Sequence, residues 1–170
     1  MGLTDGLDGA KAGLSTAPDP RPAGALAPGV PAPALAVTGI EPGGVRLEDL
    51  ARRGAALLLF VSEECPTSAM AVRNLGPLCR DWEKAGLGVT AVFEDPLDTA
   101  LRVARTLGWT GRVVSQDPPY QTSKDYGLLA VPTAFLVGGD GIIAGTVVGW
   151  NQPALAALIE NAAGLIGSAA

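Results

Sequence analysis

The chain has 170 residues, enough for one domain and crowded for two; at 48% hydrophobic and 17% charged it can bury a core, which excludes disorder throughout. A formal net charge of −5 with no basic run argues against nucleic acid as a partner, and the absence of His removes Ser-His-Asp, Cys-His and His-metal chemistry. Cys65 and Cys79 are too few for a disulfide-stapled scaffold or a four-Cys zinc site, so any thiol chemistry falls to these two and no metal is expected.

Residues 1–30 are rich in Gly, Ala and Pro, and six of the 14 prolines fall before residue 34. This composition predicts a flexible leader ahead of one domain over 31–170. The first residues hold no basic stretch followed by a continuous apolar core, and no 18-residue apolar run follows, so a cytoplasmic location without a membrane partner is expected.

Residues 55–61 (AALLLFV) are apolar without interruption, which predicts a central strand covered on both faces. It runs into Ser-Glu-Glu-Cys-Pro-Thr-Ser, after which Ala71, Leu75, Leu78, Cys79 and Trp82 form the apolar stripe of one helix, ended by Gly86 and Gly88. Residues 89–93 read as a second buried strand. Asp95-Pro96 opens the next helix with Pro at the first helical position, and Leu97, Ala100, Leu101, Ala104 and Leu107 face inward. A short strand over 112–115 and a polar helical turn over 120–126 follow. Residues 133–137 and 142–148 flank Gly138-Gly139-Asp140-Gly141, a hairpin signal, and Asn151 caps a last helix striped by Leu155, Leu158, Ile159, Ala162 and Ile166. Strands alternating with helices predict an α/β fold, a mixed central sheet with helices on both faces and a C-terminal β-hairpin plus helix.

Cys65 stands where a strand ends and a helix begins. Unpaired backbone N–H groups and the positive end of the helix dipole meet there, and both favour thiolate, the form that attacks disulfides and peroxides. Pro66 at the first helical position presents the sulfur. Glu63 and Glu64 work against it, since like charge disfavours a second anion.

FVSEECPTS, VPTAFLV and GGDGIIAGTVVGW, in that order, resemble the thioredoxin superfamily, and most of all its redoxin or TlpA-like thiol-disulfide oxidoreductases. Ala32-Pro33-Ala34-Leu35 and Leu47-Glu48-Asp49-Leu50 are similar to that branch's lead-in, so the likeness covers about residues 29–167. It implies a thioredoxin-like fold, Cys65 and Ser68 as the catalytic pair of positions, and Glu64, Pro66 and Thr67 shaping the site. It further implies a cis Pro132 close to Cys65, with Val131, Pro132 and Thr133 binding an extended substrate peptide as an added strand.

This chain departs from the family's pattern at Ser68, which stands where that family has its resolving cysteine, so no intramolecular disulfide closes the Cys65-x-x-Ser68 motif. Cys79 is no substitute, because 14 residues along one helix span about 21 Å against a limit of roughly 7 Å between bridged Cα atoms, and it lies on the apolar stripe. Monothiol behaviour is therefore implied: disulfide-containing or glutathionylated protein clients form mixed disulfides that an external thiol reductant releases, with no cofactor. Ser68 either hydrogen-bonds the thiolate or simply continues the helix, and both stand open. Pro77 lies twelve residues after Cys65 where the family places a kinking proline eight after, and Glu64 replaces the Trp that precedes the cysteine in many relatives. A second reading is a peroxiredoxin-like thiol peroxidase, echoed in Phe60-Val61, Ser62 and Cys65-Pro66-Thr67, with Arg112 as candidate peroxide-orienting cation. A third is a non-catalytic interaction module with Trp150 and Tyr126 on its contact surface.

Overall fold

The uninterrupted apolar run Ala55–Val61 forms β1, and all seven of its residues are buried because both faces of the strand are covered. In the computed structural model, which describes residues 24–41, 43–51 and 54–169, β1 lies at the centre of a five-stranded mixed sheet. It pairs in parallel with β2 (Leu87–Phe93), which pairs in parallel with β3 (Arg112–Ser115). On its other side β1 runs antiparallel to β4 (Thr133–Gly138), and the hairpin brings back β5 (Ile143–Val148). The spatial order is β3-β2-β1-β4-β5.

Strand alternation divides the core in two. Ala55, Leu57, Leu59 and Val61 enter one cluster with residues of α2 (Pro66–Leu75), α3 (Cys79–Lys84), α4 (Leu97–Leu107) and α6 (Gln152–Ala169). Ala56, Leu58 and Phe60 enter the other, closed by the short α1 (Leu47–Leu50), by Tyr126 just after α5 (Gln121–Asp125), and by Leu26, Ala32, Leu35 and Val37. Phe60, Tyr126 and Phe135 meet in this second cluster with ring centroids 5.0–5.5 Å apart, tilted or edge to face, the arrangement their quadrupoles favour. Helices thus lie on both faces, with the heavier layer on the first.

Several local outcomes differ from the sequence reading. The stripe from Ala71 to Trp82 is not one helix. Gly76-Pro77-Leu78 is a 3-10 turn between α2 and α3, because Pro77 cannot donate the i to i−4 hydrogen bond. The Gly76 carbonyl accepts from the hydroxyl and N–H of Thr110, at 2.6 and 3.3 Å, as well as from the Cys79 N–H, which docks the break onto the chain just after α4. Leu78 is 44% exposed as a result, off the buried stripe. Pro96 is the N-cap of α4 (ψ 150°) and Leu97 its first residue, one position later than expected. β2 begins at Leu87, and β5 at Ile143, after the turn.

Residues 24–30 do not behave as leader. Leu26 N–H donates to the Tyr126 carbonyl (3.1 Å), Gly29 N–H to Ile143 (2.8 Å), and Ile143 N–H to Val30 (2.9 Å), so this stretch closes the open edge of β5. Unpaired edge groups are the physical reason that the polypeptide is held there. The stretch then crosses the second sheet face to bridge Thr38 with Ser115 on β3 at the opposite edge. The rest of the expected leader, residues 1–23, lies outside the described residues.

Candidate active site

β1 delivers the chain to the carboxyl end of the sheet, and Cys65 is the N-cap of α2, with φ −102° and ψ 112°. An N-cap side chain faces the free N–H groups of the first turn, and here the Cys65 sulfur accepts from the Ser68 N–H at 3.3 Å. The thiol donates to the Val131 carbonyl at 3.4 Å, across the end of the sheet. The Val131–Pro132 peptide is cis, and Gly149 N–H holds the Pro132 carbonyl at 2.8 Å from the end of β5. Cys65 is partly exposed. Burial pushes its pKa up, but hydrogen bonds from the Ser68 hydroxyl and N–H and from Thr67 outweigh burial and leave the thiol below its ordinary value.

Ser68 is buried, and its Oγ accepts from the Ser62 N–H at 3.2 Å, tying the two ends of the Cys65 turn together. The same hydroxyl keeps its proton to offer the sulfur. Every N–H of the turn is engaged: Glu63 by the Asp95 carboxylate at 2.9 Å, Glu64 by Ser62 Oγ at 3.3 Å, and Cys65 by the Ser62 carbonyl at 3.2 Å. The Glu63 carboxylate pairs with Arg102 of α4 at 2.9 Å. Asp95 and Arg102 escaped the sequence reading, since a contact 32 residues apart between a loop and a neighbouring crossover leaves no trace in local periodicity.

Of the remaining expected site residues, Glu64, Pro66 and Thr67 are exposed around the sulfur and Val131 is half-buried. Thr133 differs from expectation. It is buried and its hydroxyl donates to the Ala130 carbonyl at 2.8 Å, so the side chain braces the proline loop from inside and offers no surface to a substrate. Cys79 is buried and free of any disulfide, its pKa pushed up to about 11 by burial and the Glu83 charge. Arg112 is remote from Cys65: it pairs with Glu41 at the start of β3, three positions before the carboxyl end where Ser115 aligns with Phe93. Tyr126 is fully buried, its hydroxyl on the Pro33 carbonyl at 2.7 Å, so it is core and not contact surface. Trp150 is half-buried and lines a shallow apolar depression with Leu78, Trp82 and Ile159. Among the described residues, no group of three or more Cys, Asp or Glu is placed to hold a metal, and no helix is long and apolar enough to cross a membrane.

The model of the AhpC/TSA family matches residues 28–146, more than half of the chain. The thiol:disulfide interchange protein CycY of Rhizobium leguminosarum bv. viciae is 33% identical over 73 residues, 42% of this chain and 39% of its own. The match thus spans about two fifths of that relative's length. Among solved structures, a putative thiol:disulfide interchange protein DsbE from Chlorobium tepidum superposes with a TM-score of 0.71 at 25% identity, over 81% of this chain and 99% of that one. A putative protein disulfide isomerase from Bacteroides thetaiotaomicron superposes with a TM-score of 0.73 at 17% identity, over 85% and 93%. The fold is thioredoxin-like, of the redoxin branch.

Proposed function

This chain belongs to the AhpC/TSA family, and on that premise we propose that it is a thiol-disulfide oxidoreductase of the redoxin or TlpA-like type with Cys65 as its single nucleophile. The observation that carries the reading is Cys65 itself, partly exposed at the mouth of α2, its sulfur accepting a backbone N–H from Ser68 and facing the cis Val131–Pro132 peptide. The names borne by CycY and by the C. tepidum structure point the same way.

The reaction balances with one protein thiol. The Cys65 thiolate attacks one sulfur of a client disulfide; a Cys65–client bond forms, the client S–S bond breaks, and the departing thiolate takes a proton. An external thiol then attacks the mixed disulfide, carries the client sulfur away and returns the Cys65 thiol. Ser68 supports the thiolate through its N–H and its hydroxyl. Arg112, paired with Glu41 away from the site, does not serve as the peroxide-orienting cation that the peroxidase reading named.

Incubation with cell extract, quenching with acid, and mass spectrometry of the adducts test the proposal. Disulfide-linked protein or glutathione is expected on Cys65, released by added thiol and lost in Cys65→Ser. Adducts no more abundant than in Cys65→Ser would overturn the reading in favour of an interaction module. Sulfenic acid forming on Cys65 at low hydrogen peroxide faster than any mixed disulfide would overturn it in favour of the peroxidase.

A further inference from the structure

Asp95 sits outside the Cys65 motif, at the end of the turn that follows β2, yet its carboxylate Oδ2 accepts the Glu63 N–H at 2.9 Å. Glu63 is two residues before the sulfur. Its own carboxylate is drawn to Arg102 at 2.9 Å, and Arg102 lies seven residues after Asp95, so two points of one neighbouring segment grip one residue of the Cys65 turn. Within the turn the remaining N–H groups bond internally, to Ser62 and Ser68, and these bonds set its shape. From outside the turn, Asp95 holds the Glu63 N–H, Arg102 the Glu63 carboxylate, and the Val131 carbonyl the Cys65 thiol.

We propose that Asp95 is a positioning residue for the nucleophile, holding the Glu63 N–H so that the Cys65 sulfur stays at the mouth of α2 within reach of the Ser68 N–H. The assignment rests on Cys65 being the reactive thiol. The grip is made against electrostatic cost: Asp95 is half-buried, burial raises its pKa, the Glu63 N–H opposes that rise, and the Glu63, Glu64 and Glu94 carboxylates add to it. The Glu94 carboxylate accepts from the Ser123 hydroxyl at 2.6 Å, and Arg102 is taken up by Glu63.

The acceptor and the charge of Asp95 act on the thiol in opposite directions, which makes the role separable. As an acceptor, Asp95 keeps the sulfur where backbone N–H groups stabilise the thiolate. As an anion, it disfavours a second anion nearby. Asp95→Asn retains an amide oxygen for Glu63 and drops the charge; Asp95→Ala drops both.

The rate of Cys65 alkylation by iodoacetamide against pH, with the labelled residue located by mass spectrometry and thermal unfolding run in parallel, tests the assignment. For Asp95→Ala the midpoint is expected to rise, and the rate at pH 7 to fall roughly three- to tenfold, the loss of thiolate that a rise of about half to one pH unit brings. For Asp95→Asn the midpoint is expected at or below that of the unmodified protein. A midpoint that falls in both variants would show that Asp95 acts by charge alone; one that moves in neither, even with lowered thermal stability, would make it merely structural. Each of these overturns the assignment. Failure of the underlying reading looks different: Cys65 in the unmodified protein would then label no faster than an unstructured cysteine peptide, whatever stands at position 95.

Discussion

The two cysteines have their pKa values pushed in opposite directions because of where the backbone puts them. Cys65 caps a helix and has N–H donors for its thiolate, whereas Cys79 lies in the core with its pKa pushed up to about 11. Since the thiolate is the form that reacts, Cys79 at pH 8 holds only about one part in a thousand in reactive form, and burial hides that part from reagent. Iodoacetamide at pH 8 is therefore expected to label native protein on Cys65 alone, and both cysteines once guanidinium unfolds the chain. Equal native labelling would remove the distinction. The motif itself, Cys65-Pro66-Thr67-Ser68, can be read in the sequence because capping is local. The buried Ser68 hydroxyl bonding Ser62, and Asp95 reaching Glu63, cannot, since both depend on how the turn folds back.

The helices that carry the site are placed by their interruptions as much as by their stripes. At Gly76 the break between α2 and α3 presses so closely on α4 that a Cβ would stand 2.6 Å from the Gly108 carbonyl oxygen and 2.8 Å from Trp109 Cα. Backbone cannot rotate aside as a side chain does. Gly76→Ala is expected to cost about 1–3 kcal/mol of stability, measured by chemical denaturation, through this overpacking. Gly108 answers from the other side: at φ +83° it caps α4 in the left-handed region and turns the chain so that Trp109 N–H bonds the Ala104 carbonyl at 2.9 Å. The apolar period foretold that residues 71–82 would be helical, but Pro77 divided them, and Thr110 donating to the Gly76 carbonyl is a tertiary event.

Across the molecule, the stretch from Gly24 to Thr38 straps the second face of the sheet from the β5 edge to the β3 edge. Tyr126 fastens its middle through the Pro33 carbonyl. Tyr126→Phe keeps the aromatic cluster and removes that one bond, so a loss of about 1 kcal/mol is expected, with faster amide hydrogen exchange over residues 26–38 and little change in the strands. Unchanged exchange there would show that the apolar contacts of Leu26, Leu35 and Val37 hold the strap unaided. Composition made residues 24–30 look like leader because Pro and Gly signal flexibility only where nothing else bonds the backbone, and their partners Tyr126 and Ile143 lie about 100 residues or more away. What the sequence determined alone was local: five strands by apolar run and turn chemistry, the helix faces by period, the capping position of Cys65, and a serine in place of a cysteine at position 68. Tertiary structure decided the rest, namely which edges the N-terminal stretch closes, that Thr133 and Tyr126 turn inward, and that Asp95 meets the turn before the cysteine. Periodicity encodes which face of an element is apolar, whereas the partner of a single polar group is chosen only when distant elements come within hydrogen-bonding reach.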